Sequence, residues 1–184
     1  SRCMNYTVDA CERCDELVES RSRIVNGVGD GSLGTVFVGE APGADEDERG
    51  EPFVGRSGEI LTEKLNAHGV SRDEVRITNS VRCRPPDNRD PHVDELGSCR
   101  PYLIAEIDTY DPGVVCTLGR VPTKDLVDGV GAMREVVGEE LRIEVGAKER
   151  TVVPCYHPAA MLYDRSKEGV IDETLGRVVE LARS

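Results

Sequence analysis

Four of the seven cysteines have the polar surroundings and the spacing of a metal site. They are Cys11, Cys14, Cys83 and Cys99. Two residues separate the first pair and fifteen separate the second. Four thiolates can hold Zn²⁺ or an iron–sulfur cluster, so the number of ligands leaves both open. Four unrelated free thiols are the alternative, but a Cys-x2-Cys pair is typical of metal sites. Of the others, Cys116 and Cys155 lie in apolar runs that predict buried strands, and Cys3 lies near the N-terminus.

Three polar side chains directly follow apolar, strand-like runs. Glu40 follows TVFVG, Asn79 follows VRIT and His157 follows VVPCY. Ligands of parallel α/β sheets bind beyond the carboxyl ends of the strands, so we expect these three loops to meet at one rim. Each residue also has a plainer interpretation: a solvated loop acid, a helix cap and a satisfied core imidazole. Their expected convergence favours a functional site.

The elements that must position these residues alternate between strand and helix. Apolar, β-branched runs predict strands at 35–38, 75–78, 114–118 and 151–154. Helical spacing predicts helices at 59–69, 91–110 and 173–183, and Pro101 should kink or restart the second of them. Short apolar strands separated by helices indicate a parallel sheet covered on both faces. We therefore predict a single domain over residues 1–184, with a three-layer α/β/α fold around a short, mainly parallel sheet.

The charge balance is strongly acidic. The chain has 35 acidic and 23 basic side chains, a net charge of −12, and only four of the basic residues are lysines. Such a surface suits a halophile, because concentrated salt screens its self-repulsion; an ordinary acidic cytosolic protein is the alternative. Net charge alone counts against a nucleic-acid partner. No apolar run approaches the ~20 residues of a membrane span, and we expect a cytoplasmic protein without a signal peptide or disulfides.

Three longer motifs surround the residues singled out above. They read GEAPGADEDERGEPFVGRSGEILTEKL at 39–65, TNSVRCRPPDNRDP at 78–91 and YHPAAML at 156–162. Together with the four spaced cysteines, they resemble the family 4 uracil-DNA glycosylases, thermophilic and archaeal-type enzymes that carry a 4Fe–4S cluster. Ser57 and Ile60 are small departures, since the family usually has Ala and Leu there. The resemblance covers most of the chain.

The resemblance implies an enzyme of base excision repair that flips uracil out of DNA and hydrolyses its N-glycosidic bond. It implies a 4Fe–4S cluster on the four cysteines. This cluster would tie the N-terminal segment 1–24 to the loop between Cys83 and Cys99. The substrate would be single- or double-stranded uracil-containing DNA, bound by a monomer away from membranes, and a sliding-clamp partner stays open. Two other interpretations also stay open. One is a cluster-bearing nucleic-acid-binding relative without turnover, and the other is an unrelated zinc-stabilised α/β module.

The resemblance also implies which residues surround the uracil. These are Gly39, Ala41, Phe53, Asn79 and His157. Phe53 would stack on the flipped base, Asn79 would read its N3–H and O4 edge, and His157 would stabilise negative charge on O2. For Phe53, a core residue that anchors its loop is the plainer interpretation.

Two carboxylates are candidates for the group that activates the water. Ala41 stands where related glycosylase families carry a carboxylate or amide, so Glu40 and Glu46 are the candidates. We expect Glu40 to position the water. By resemblance, Glu46 would instead exclude the 5-methyl group of thymine.

DNA contact would have to come from local positive charge despite the acidic balance. Four arginines, including Arg100, crowd around the second cysteine pair, and Arg165 follows the HPAA motif. The expected DNA-binding residues are Arg82, Arg84, Arg89, Met161 and Arg165. A cluster would order the arginines as a phosphate-binding platform, and Met161 with Leu162 would wedge the strand where the base leaves. Arginines that merely neutralise the thiolates are the alternative.

Overall fold

A five-stranded sheet forms the centre of the computed structural model, which describes residues 5–184, so that Cys3 lies outside the described residues. The strands are β1 (Thr35–Gly39), β2 (Arg76–Asn79), β3 (Val114–Leu118), β4 (Leu141–Val145) and β5 (Lys148–Cys155). Their order is β2-β1-β3-β5-β4. The first four strands of this order are parallel, and β4 pairs antiparallel with β5 at the edge. The four predicted strands are therefore confirmed, to within a few residues.

Eight α-helices connect and cover the strands within the described residues. They are α1 (Asp15–Ser20), α2 (Ala44–Arg49), α3 (Arg56–Ala67), α4 (Val93–Tyr110), α5 (Arg120–Leu126), α6 (Met133–Val136), α7 (Ala160–Tyr163) and α8 (Lys167–Arg183). Two 3-10 turns lie at Arg72–Glu74 and Pro86–Asn88. None of the helices within residues 5–184 has both the length and the apolar character that a membrane span needs.

Alternate residues of each buried strand face two different helical layers. Phe37, Cys116 and Val153 belong to one core cluster, with apolar side chains of α3 and α8. Their neighbours Val36 and Val115 belong to a second cluster with Leu103 and Ile107 of α4. Both faces of the sheet are thus apolar, which is why the strands read as continuous hydrophobic runs. The predicted three-layer α/β/α fold is confirmed.

Two helices differ from the sequence prediction. The helix at 91–110 begins at Val93 and continues through Pro101 to Tyr110, so it is not restarted there. Proline removes one hydrogen bond in a helix interior, but burial of Leu103 and Ile107 on the core side of α4 offsets that loss. The last helix begins at Lys167, because Ile171 already packs into the core.

The carboxyl ends of the strands are joined by backbone hydrogen bonds that bring their loops together. The amide of Ser80 donates to the Gly39 carbonyl at 2.8 Å, and the amide of Val81 donates to the Glu40 carbonyl at 3.1 Å. At the next pair of strands, the amide of Gly119 donates to the Cys155 carbonyl at 2.9 Å. The loops after β1, β2, β3 and β5 therefore form one continuous rim.

Candidate active site

A cavity of about 640 Å³ opens at this rim. Its lining includes Glu40, Ala41, Glu46, Phe53, Asn79 and His157. These side chains come from loops that are up to 117 positions apart in the chain, Glu40 to His157. The structure thus brings together six of the predicted catalytic and uracil-binding residues, and the seventh, Gly39, lies close to two of them, Asn79 and Phe53.

Gly39 allows Asn79 and Phe53 to approach each other. Gly39 and Asn79 are paired in the register of β1 and β2. A Cβ atom at position 39 would lie 2.5 Å from the Asn79 Oδ1 atom and 2.5 Å from the Phe53 ring. Any side chain here would therefore displace both groups. Glycine is required by this close approach, while Asn79 itself is almost fully buried.

The Phe53 ring forms one wall of the cavity. It stacks against the His157 ring, with 5.9 Å between the centroids and 28° between the planes. Phe53 has a positive φ of 52°, a conformation that costs energy for a bulky residue. Phe53 is also 6% exposed and belongs to the core cluster. Its side chain therefore anchors the loop in the core and, at the same time, lines the cavity.

The environment of His157 favours a neutral imidazole. Burial lowers its pKa below the ordinary value, although the carboxylate of Glu46 opposes this shift. The amide of Ala159 donates to the His157 Nδ1 atom at 3.2 Å. Because Nδ1 accepts a hydrogen bond, the single proton of the neutral ring lies on Nε2. His157 therefore offers one N–H donor without carrying a positive charge.

Glu40 has the properties of a general base. Burial, and after it the neighbouring carboxylate of Asp90, raise the pKa of Glu40 to about 7. Asp90 lines the same cavity. A carboxylate with a pKa near neutrality can accept a proton efficiently at the working pH. Ala41 contributes no acid–base group.

Glu46 organises the loops around the cavity. Its Oε1 atom accepts the Gly43 amide at 2.9 Å, and its Oε2 atom accepts the amides of Val54 and Gly55 at 3.1 and 3.0 Å. These three N–H groups occupy much of the acceptor capacity of the carboxylate. Of the two candidates, Glu40 is therefore better placed to bind a water, while Glu46 is better placed to hold the loop that carries Phe53.

The four predicted metal ligands line a second, much smaller cavity. It is bounded by Cys11, Cys14, Cys83 and Cys99. The Arg21 guanidinium donates to the Cys83 Sγ atom at 3.3 Å. Burial raises the pKa of Cys14 and Cys83, and it raises the pKa of Cys99 to about 12. Deprotonating such half-buried thiols is costly unless a metal takes the place of the protons. The donor set and its seclusion fit a thiolate-bound metal group.

One predicted DNA-binding arginine is not at the surface, so that prediction was wrong. Arg82 is 2% exposed, and its Nη2 atom lies 2.6 Å from the Glu106 Oε1 atom. Arg76 pairs with the other oxygen of Glu106 at 2.8 Å. Burying a guanidinium requires such a partner, so Arg82 acts in the core. It helps to hold the N-terminal segment, because it also donates to Asn26, whose amide group bonds the backbone of Val8.

The other three arginines around the second cysteine pair each have a side-chain partner. Arg84 is half-buried and donates to Asn88 at 2.8 Å. Arg89 donates to both oxygens of Glu95 at 2.8 and 3.0 Å, and its side chain is 25% exposed. Arg100 pairs with Asp125 at 2.6 Å. Arg21, which the sequence did not single out, donates from its side chain to the sulfur of Cys83.

The segment after the HPAA motif exposes two of the three residues expected there, Leu162 and Arg165, and also Tyr163. Met161 is half-buried and packs against the core, and its part in the wedge stays a prediction. Leu162 and Tyr163 are 46% and 91% exposed, and Tyr163 also lines the cavity. Arg165 is exposed, as the prediction requires.

Three ionisable residues of the cavity were missed from the sequence: Asp90, Arg120 and Tyr163. Asp90 and Tyr163 stand within or next to the longer motifs, but their types alone indicate nothing more than a loop acid and an aromatic residue. Arg120 follows β3, at the same rim as the loops after β1 and β2. The rule that ligands bind beyond strand ends, applied to this third strand, would have found it.

Proteins of known name resemble the chain over most of its length. Residues 27–176 match the profile of the family described as Uracil DNA glycosylase superfamily. A Type-4 uracil-DNA glycosylase of Sulfurisphaera tokodaii is 41% identical over 180 residues, which are 95% of this chain and 81% of that protein. Those of Archaeoglobus fulgidus and Thermotoga maritima are each 42% identical, over 84% and 88% of this chain and 79% and 82% of their own lengths.

Proposed function

This chain belongs to the uracil-DNA glycosylase superfamily and, within it, to the type-4 enzymes, and on that premise we propose how it removes uracil from DNA. It is a monofunctional DNA N-glycosylase, which hydrolyses the N-glycosidic bond and leaves an abasic site. The convergence of Glu40, Phe53, Asn79 and His157 on one cavity is the observation that carries the assignment of the site.

The cavity receives a uracil that has left the base stack. Extrusion costs a few kcal/mol, and stacking on an aromatic ring returns ~1–3 kcal/mol. Phe53 supplies that ring. The buried amide of Asn79 offers an acceptor to N3–H and a donor to O4. Cytosine presents the opposite pattern at these two atoms and would leave the amide unpaired, which is costly in a buried site.

Bond cleavage places negative charge on the departing uracil and positive charge on the sugar. The Nε2–H group of neutral His157 donates to uracil O2 as that charge develops. Glu40 takes a proton from a water, whose oxygen forms a bond to C1′ while the bond from C1′ to N1 breaks. Uracil leaves as an anion and later takes a proton from solvent. Glu46 holds the loop against the base and excludes the methyl group of thymine.

The four cysteines hold a 4Fe–4S cluster in this proposal. Its support is the secluded four-thiol donor set, together with the type-4 names of the relatives. When bound, the cluster supplies cross-linking and not acid–base chemistry. The N-terminal segment contributes Cys11 and Cys14, so the ligands tie residues near the start of the chain to the loop between β2 and α4 and to α4 itself.

DNA binding would use exposed groups around the cavity mouth. Arg84, Arg89 and Arg165 are the predicted residues that keep some exposure, and Arg120 lines the cavity itself. Leu162 and Tyr163, which protrude, are better placed than the half-buried Met161 to be the wedge that fills the gap left by the base. The protein would act as a monomer on single- or double-stranded DNA.

The test is a gel assay on an oligonucleotide with one uracil, followed by alkali that cleaves abasic sites. We expect a cleaved product only after alkali, and none from the same oligonucleotide with thymine. His157→Ala and Asn79→Ala should each reduce the rate. A folded, iron-loaded protein that shifts uracil-containing DNA in a gel but yields no product would refute the proposal in favour of a relative without turnover.

A further inference from the structure

The loop that carries Phe53 is in a conformation that it would not keep by itself. Phe53 has a φ of 52°, although it is neither glycine nor asparagine. Such a residue persists only where the surroundings hold it, and strained backbone tends to occur at functional sites. The groups that hold this backbone therefore determine where the Phe53 ring lies.

Arg72 holds the carbonyl groups of the loop from the side away from the cavity. Its Nη1 atom donates to the Phe53 carbonyl oxygen at 2.6 Å, and its Nη2 atom donates to the carbonyl oxygen of Pro52. Nη1 also lies 3.3 Å from the Thr62 Oγ1 atom on α3. Arg72 is half-buried and is absent from the lining of the cavity, so it cannot touch a base there.

Other groups packed around the loop leave little room for a different arrangement. Glu46 accepts the next two amides, those of Val54 and Gly55. A Cβ atom at Gly58 would lie 1.8 Å from the Phe53 carbonyl oxygen, so that carbonyl is pressed against α3. The cation Arg72 thus binds the carbonyl groups of the loop, and the anion Glu46 binds its amide groups. Both pairings are favourable, because carbonyl oxygens carry partial negative charge and amide hydrogens carry partial positive charge.

We propose that Arg72 is a positioning residue for uracil, acting through Phe53. Its planar fork reaches two successive carbonyl groups at once, which a lysine cannot do with one compact ammonium group. By fixing the strained backbone, it keeps the Phe53 ring against His157 before DNA arrives. The inference rests on the proposed function, because it takes Phe53 as the platform for the base.

The test compares Arg72→Gln, Arg72→Lys and a matched control, Arg49→Gln. Arg49 contacts the same loop, donating to the Val54 carbonyl at 3.5 Å from an exposed position. In single-turnover excision of uracil, we expect Arg72→Gln to be about tenfold slower, Arg72→Lys to lie between, and Arg49→Gln to match the parent. In a Phe53→Ala background, Arg72→Gln should add less than about twofold, since the ring that it positions is gone.

Hydrogen exchange supplies a readout that does not depend on catalysis. In Arg72→Gln, amides of the peptide that contains Val54 and Gly55 should exchange faster, while Arg49→Gln should exchange as the parent does. Exchange or excision at the parent level in a folded Arg72→Gln variant would overturn the inference, as would a full tenfold loss in the Phe53→Ala background. Excision at the parent rate by Phe53→Ala alone would refute the proposed platform itself, and the inference with it.

Discussion

Replacing Asp90 by asparagine should make uracil excision faster at acidic pH. Burial and the Asp90 carboxylate together raise the pKa of Glu40 to about 7. A general base works only when it is deprotonated, so protonation of Glu40 below this value removes activity. The Asp90→Asn substitution places an uncharged amide beside Glu40, and the ionised form of Glu40 would then be reached at lower pH.

The expected size of the effect follows from the fraction of Glu40 that is ionised. With a pKa of about 7, about one-eleventh of Glu40 is ionised at pH 6 and about ten-elevenths at pH 8, so the parent rate should rise about tenfold between them. In Asp90→Asn, this rise should move to lower pH but not disappear, because burial still opposes ionisation. Burial lowers the pKa of His157, which favours its neutral form in this range.

The assay is single-turnover excision from pH 5.5 to 8.5 at constant ionic strength, with the fold checked by circular dichroism. Asp87→Asn is the matched control, because Asp87 is an exposed carboxylate of the same segment and lies outside the cavity lining. A parent rate that is independent of pH would refute Glu40 as the base. A rise with the same midpoint in parent and Asp90→Asn would refute the coupling between the two carboxylates.

Three further predictions concern the cluster, the base and salt. Cys11→Ala should lose its iron, its broad absorbance near ~400 nm and its folded stability together, whereas one zinc and no iron in the anaerobically prepared parent would contradict the cluster. Asn79→Asp should excise uracil about 10- to 100-fold more slowly and begin to accept cytosine, and a parent rate in Asn79→Ala would exclude the residue from the pocket. Excision should persist or rise from about 0.1 to about 1 M KCl, because screening shortens from ~10 to ~3 Å and relieves repulsion between DNA and a chain of net charge −12. A steep loss of excision with the fold intact would mean that phosphate contacts dominate.

The layers of the fold could be predicted from local patterns. Runs rich in apolar and β-branched residues identified β1, β2, β3 and β5, because a strand covered on both faces is mostly apolar. Arg76 of β2 is a buried exception that pairs with Glu106. The edge strand β4 was missed. Its residues alternate between buried or half-buried apolar and exposed charged side chains, so its sequence LRIEV shows the pattern of one covered face.

The candidate site was predictable where a residue follows a strand. Glu40, Asn79 and His157 meet because parallel strands end at the same edge, and that rule needs only the strand positions. The convergence of the four cysteines on one cavity was predictable too, because a Cys-x2-Cys pair in polar surroundings is typical of metal sites.

The partners of charged side chains were decided only by the tertiary structure. Arg82 appeared as a surface cation, yet Glu106, which lies 24 positions away, neutralises it in the core. Arg72 carried no signal at all, because the groups it bonds are two backbone carbonyls, which any sequence possesses, and the hydroxyl of Thr62 ten positions away. Whether a charge meets solvent, DNA or a buried partner depends on long-range packing, and no local pattern of residue types contains that information.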